Sequence, residues 1–215
     1  MILVNSFGGC ATTMIIEQIA ASGGNLVFNG HNGDFKKYKH ILNPPPSELP
    51  ESHHSGAKQI EKALYVYSDP IDAIKTFYRR REYGNNSEGK IANWVTGHCQ
   101  NIGGQFFLLN PMWDIGDYAS QSNDILSLED HWFNWHTRPL EYDVMYVKYE
   151  NMWLHLSKIQ EFLRLPDTFD TNFPTKRQRK DFDISDNIFK LLEETYEDLI
   201  DEVKDSPDIK VRVKS

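Results

Sequence analysis

A short apolar run, Ile2-Leu3-Val4, gives way within a few residues to Gly8-Gly9 and then to Thr12-Thr13-Met14-Ile15-Ile16. Apolar β-branched residues ahead of a glycine pair, with an amphipathic segment behind it, predict a buried strand, a tight turn and a helix start. The small residues Gly8, Gly9 and Ala11 let the backbone approach a ligand closely, and the unpaired amides of the helix start, with Cys10 in the same turn, favour an anion. The site this predicts suits phosphate or sulfate. The strict nucleotide-binding pattern G-x-x-x-x-G-K-[ST] is not met, since Ala11 stands where its lysine would precede Thr12.

Strands and helices go on alternating down the chain. The first helix is expected from Thr12 to Ala21, with Met14, Ile15, Ile19 and Ala20 facing inward and Gly23-Gly24 stopping it. Leu26-Val27-Phe28 predicts a second strand that runs into the turn residues Asn29 to Asp34. Ligand loops of open parallel sheets lie beyond the carboxyl ends of strands, which puts His31 on the ligand side. The segment from Lys36 to Gly56 is too proline-rich for regular structure and reads as a surface wrap or lid. Ala63 to Tyr67 is a continuous apolar strand, followed by a helix from Ile71 to Arg81 with Ser68 or Asp69 as its cap.

Weaker patterns predict a helix over Ile91 to Cys99, a short strand or core plug at Phe106 to Leu109, and loop from Asp114 to Asn123. Ser127 is expected to cap a helix that runs through His136, and Asp143 to Lys148 forms a further strand. A helix follows from Leu154 to Leu163, and a last one runs from Ser185 to Val203 with apolar residues at helical spacing. This alternation predicts an α/β fold: one domain over residues 1 to 215, a three-layer open parallel sheet with helices on both faces.

With 215 residues, 40% of them hydrophobic and 13% aromatic, the chain can bury one substantial core. Its formal charge of -8 opposes nonspecific association with nucleic acid or an acidic membrane, so an anionic ligand has to find local cations. Cys10 and Cys99 show neither disulfide-framework nor metal-ligand spacing and fit free thiols in a reducing compartment. No apolar run approaches the roughly 18 residues needed to span a bilayer, and no basic lead into a signal sequence precedes the first strand. The expectation is a soluble, cytoplasmic protein.

Three separated stretches resemble one family, the sulfotransferases. Gly9-Cys10-Ala11-Thr12-Thr13 resembles the family's 5′-phosphosulfate loop, a basic residue followed by Ser-Gly-Thr-Thr. The strand ending at Tyr67, with Ser68-Asp69-Pro70, Asp72 and Thr76, is similar to the 3′-phosphate segment, Arg-(Asp/Asn)-Pro with an Asp and a Ser beyond it. Val144 to Leu165, with Tyr149-Glu150 and Glu161-Phe162-Leu163, is similar to the strand-Tyr-Glu-helix-Phe-Leu-Gly element, and Trp135 suits the family's tryptophan. The resemblance implies a sulfotransferase and P-loop-like fold. It also implies transfer of a sulfuryl group, without a metal, from 3′-phosphoadenosine 5′-phosphosulfate to a hydroxyl or amine of a small-molecule or glycan acceptor.

On the same resemblance Gly8, Gly9, Cys10, Ala11, Thr12, Thr13, Ser68, Asp72 and Thr76 would border the nucleotide. Two cations of the family pattern are absent: Gly9 replaces the basic residue of the first loop, and Ser68 the arginine of the second motif. Arg80, Arg81 and the run Lys176-Arg177-Gln178-Arg179-Lys180 are candidates to replace them. Arg177 and Arg179 are preferred because the run falls where the family has a flexible basic loop. His31 is the first choice of general base, with His98 and Glu82 behind it. The missing cations motivate the alternative of a noncatalytic sulfotransferase-like protein that binds a nucleotide or a partner. The absent loop lysine argues against a P-loop phosphotransferase.

Overall fold

The computed structural model describes residues 1–27, 39–48, 59–83, 92–176 and 182–214, with backbone alone at 80–83 and 92–94. Its centre is a four-stranded sheet, β1 (Ile2–Asn5), β2 (Lys62–Tyr67), β3 (Asp143–Lys148) and β4 (Ile209–Arg212), in the order β1-β2-β3-β4. The first three strands are parallel, with Ile2 opposite Lys62 and Lys62 opposite Asp143. Neighbouring residues of a strand point to opposite faces, and Ala63 to Tyr67 are all buried, so both faces of β2 are covered. One hydrophobic cluster extends from Met1 to Val203.

The helices between the strands follow the sequence closely at their starts. Helix α1 (Thr12–Ala21) buries Ile15, Ile16 and Ile19, while Met14 and Ala20 pack at its margin. Gly23, at φ 80°, and Gly24 fold back on the carbonyls of Ala20 and Ile19 and end it. Helix α2 (Pro70–Tyr83) begins where Asp69 Oδ1 accepts the Asp72 amide at 3.1 Å, so Asp69 is the cap, and Ile74 and Phe77 face the core. Helices α3 (Ala92–Asn101), α4 (Ile115–Ala119) and α5 (Leu128–Thr137) precede β3. A 3-10 segment (Tyr149–His155), α6 (Leu156–Leu163), α7 (Thr168–Thr171), α8 (Asp186–Thr195) and α9 (Glu197–Asp205) lead to β4.

Several expectations are corrected. The sheet is mixed: β4 runs antiparallel to β3, and its four residues alternate apolar and basic in a pattern too short to register as a strand. Leu26 forms only a single bridge to Ile2, and Phe28 lies outside the described residues. Residues 106–109 form turns, with Phe107 75% exposed and only Leu109 buried, so they make neither strand nor plug. The expected loop at 114–123 contains α4, opened by a capping box between Asp114 and Asp117. The helix expected from Leu154 starts later, after 3-10 turns.

The helix expected from Ser185 to Val203 is broken at Tyr196, and Ser127 does not cap α5; one buried network explains both. Asp124 Oδ2 accepts the Glu129 amide at 2.9 Å, which makes Asp124 the residue that anchors the first turn of α5. The Tyr196 hydroxyl donates to Asp124 Oδ1 at 2.8 Å and also pairs with the Tyr118 hydroxyl. Pulled inward to these partners, Tyr196 takes φ -117° and separates α8 from α9. Ser127 sits at φ 54° with no capping bond from its side chain. Asp124→Ala is expected to cost about 1–3 kcal/mol in denaturant unfolding, and Ser127→Ala less than about 0.5 kcal/mol from lost capping. Equal costs would remove Asp124 from this role.

Candidate functional site

The loop from Ser6 to Ala11 leaves the carboxyl end of β1 and bends sharply through Gly8 (φ 109°), Gly9 (φ 73°) and Ala11 (φ 53°). Gly8 and Gly9 are there for space as well as conformation. A Cβ on Gly8 would lie 2.3 Å from His98 Nε2, and one on Gly9 would lie 2.9 Å from Ala73 Cα. Ala11 offers α1 no side-chain cap, and the first helical bond runs from the Ile15 amide to the Ala11 carbonyl. The amides of Thr12, Thr13 and Met14 therefore have no acceptor among the described residues, and they stand at the positive end of the helix dipole.

Ser6 ties the loop together. Its hydroxyl accepts the Gly8 amide at 3.1 Å and pairs with Thr12 Oγ1 at 2.6 Å, which turns the Thr12 hydroxyl back into the loop. The Cys10 thiol donates to the Gly8 carbonyl at 2.9 Å and its sulfur lies 3.3 Å from Ser68 Oγ, linking the turns that follow β1 and β2. Residues 39 and 40 dock against the same turn. The Ser6 amide donates to the Lys39 carbonyl at 2.9 Å, and His40 Nδ1 lies 2.7 Å from the Ser6 carbonyl.

A cleft of about 270 Å³ opens in front of this loop, bordered by Gly9 to Thr13, by Lys39 and His40, and by Gly97, His98 and Asn101 of α3. Lys39 Nζ donates to Thr13 Oγ1 at 3.1 Å, which holds a cation beside the free amides. His98 Nε2 lies 3.2 Å from the Phe7 carbonyl, and its ring packs on His40 at 4.5 Å and on Phe77 at 4.4 Å. Among the described residues that border the cleft there is no carboxylate. Its free amides and one ammonium are groups that suit an oxyanion, and two imidazoles stand beside them.

The residues expected to form the site divide into three groups. Gly9, Cys10, Ala11, Thr12 and Thr13 border the cleft, and Gly8 shapes it from behind. Ser68, Asp72 and Thr76 do not border it: Ser68 is buried against Cys10 and the Asp69 carbonyl, the Asp72 amide is held by Asp69, and Thr76 is buried on α2. His31, Arg177, Arg179 and Lys180 lie outside the described residues, as do the side chains of Arg80, Arg81 and Glu82. Lys176 is engaged elsewhere, donating to the Glu150 carbonyl and lying 5.9 Å from the Trp153 ring centre.

Two residues that sequence reasoning missed, Lys39 and His40, supply the cation and a second imidazole. They sit at the head of a proline-rich segment, and their only sequence signal is the basic run Lys36-Lys37-Tyr38-Lys39-His40 in an acidic chain. The comparison with protein-family models, with curated proteins and with solved structures gave no match to this chain. The chemistry of the cleft is therefore read from its own geometry.

Behind the cleft lie two further histidines, His131 buried and His136 half-buried. His131 Nδ1 bonds the Tyr65 hydroxyl at 2.9 Å, and burial, with His98 and His136 nearby, lowers its pKa to about 3. Burial lowers His136 to about 4 and takes His40 well below its usual value. In the unfolded chain all three take protons near pH 6.5, before the folded chain does, so stability falls as pH drops below about 6.5. Each adds up to about 1.4 kcal/mol per pH unit until its folded pKa is reached. Denaturant unfolding between about pH 7.5 and pH 5 is expected to show this loss, and His131→Asn is expected to make it shallower by the share of one group. A stability flat across that range would contradict the neutral buried state.

Proposed function

We propose that the chain is a sulfotransferase that moves a sulfuryl group from 3′-phosphoadenosine 5′-phosphosulfate to a hydroxyl or amine of a small-molecule or glycan acceptor, on a sulfotransferase-like variant of its α/β fold. The observation that carries this reading is the pairing of the free amides of Thr12 to Met14 with Lys39 Nζ on Thr13. The family's loop cation has no room at Gly9, where a Cβ would strike Ala73. Lys39 reaches the same loop from elsewhere in the chain and offers a charge where the leaving phosphate oxygen would build up negative charge.

In the proposed reaction the acceptor oxygen attacks the donor sulfur in line, the bond from sulfur to the bridging oxygen breaks, and the acceptor's proton passes to a base. His98, which borders the cleft, is a candidate for that base, and His31 stays a candidate from its place after the expected second strand. The buried Ser68 favours the second reading, a noncatalytic protein that binds a nucleotide or partner, since no charge at that position meets a 3′-phosphate.

Binding of 3′-phosphoadenosine 5′-phosphate, measured by calorimetry and by thermal stabilisation beside ATP with Mg²⁺, tests the reading. A ligand at about 100 times its dissociation constant stabilises the fold by roughly 2.7 kcal/mol. Stabilisation by the bisphosphate and not by ATP with Mg²⁺ is expected. Lys39→Ala is expected to weaken that binding roughly tenfold to hundredfold, the loss of one charge-assisted hydrogen bond. No binding of the bisphosphate would overturn the donor assignment, and binding without transfer to any hydroxyl acceptor would favour the noncatalytic reading.

A further inference from the structure

His40 borders the cleft beside Lys39 and is only 7% exposed. A carbonyl oxygen can only accept, so the 2.7 Å contact with Ser6 fixes the hydrogen of the neutral ring on Nδ1. The lone pair then sits on Nε2, on the ring edge away from Ser6, and Nε2 has no hydrogen-bond partner among the described residues. In this tautomer the ring leaves an unpartnered acceptor in the wall of a cleft that also carries the helix-start amides and the Lys39 ammonium. An oxyanion placed there meets repulsion from a neutral His40 and a charge-assisted N–H from a protonated one.

Building on the oxyanion reading of the cleft, we infer that His40 binds the anion as an imidazolium through its Nε2–H, so that a proton enters from solvent with each anion bound. The groups around the ring explain why the proton waits for the ligand. Burial does most to keep the free imidazole neutral, followed by His98, whose ring centre is 4.5 Å away. The Ser6 carbonyl works in the opposite direction, while Lys39 next in sequence and His131 on α5 add smaller repulsions. Cys10 and Thr12 on the loop are hydrogen-bonded to Gly8, Ser68 and Ser6 and bring no charge. With no carboxylate among the described residues bordering the cleft, the ligand itself is the counter-charge for His40. Linkage requires the converse: added protons tighten anion binding.

Titration calorimetry of the purified chain with sodium sulfate, in two buffers of different ionisation enthalpy, reads the protons taken up per anion. Sulfate keeps the same charge across the range used, so any proton belongs to the protein. Uptake of up to about one proton is expected, with affinity rising up to about tenfold per unit as pH falls from about 7.5 to 6. His40→Gln, which keeps an amide donor and does not titrate, is expected to lose both the uptake and the pH slope. Where His40→Gln does not fold, the imidazole nitrogen resonances of His40 in the labelled wild-type protein, with and without sulfate, read the same proton, and a ring that stays neutral on sulfate binding would overturn its role. Sulfate binding with no proton uptake, or uptake kept in His40→Gln, would overturn the role of His40 and leave the oxyanion cleft standing. No sulfate binding down to about pH 6 would remove both.

Discussion

The carboxyl end of β1 is fixed by a double exchange with residues 39 and 40: the Ser6 amide donates to the Lys39 carbonyl, and His40 Nδ1 donates to the Ser6 carbonyl. Ser6 has left the ladder with β2, whose last β1 partner is Asn5, so both of its buried backbone groups need partners from outside the sheet. Segment 39–40 supplies them. Everything forward of that point follows from the exchange. It leaves the Ser6 hydroxyl free to hold Gly8 and Thr12, and it places Lys39 and His40 beside the helix start.

A loop held this tightly has no room for the cation that an anion site needs. Gly9 lies against Ala73 and Gly8 against His98, so a longer side chain at either position would have to displace a neighbour. The positive charge therefore arrives from across the turn, on Lys39, and the remaining pull on an anion comes from backbone amides at the positive end of α1. In a chain of formal charge -8, such a local arrangement is what an anion site requires.

The strand-turn-helix at the start of the chain and the apolar strands β2 and β3 were legible in the sequence, because continuous apolar runs bounded by glycine, proline or aspartate have few other ways to fold. The features that were not legible depend on partners distant in sequence. Tyr196 breaks the last helix because Asp124 and Tyr118 lie within its reach, and no local pattern shows that. β4 pairs only because β3 offers an open edge. In the site, the loop residues were readable from their size and spacing, whereas Lys39 and His40 acquire meaning only when Ser6 draws them in.

The central claim is that the amides of Thr12 to Met14 receive an oxyanion, and the most direct measurement is a sulfate titration followed through the backbone amide resonances of the labelled protein. The account predicts saturable shifts that are largest at Thr12, Thr13 and Met14, with Lys39 and His40 moving in step. Saturable shifts confined to another part of the chain, or none at these amides, would contradict it.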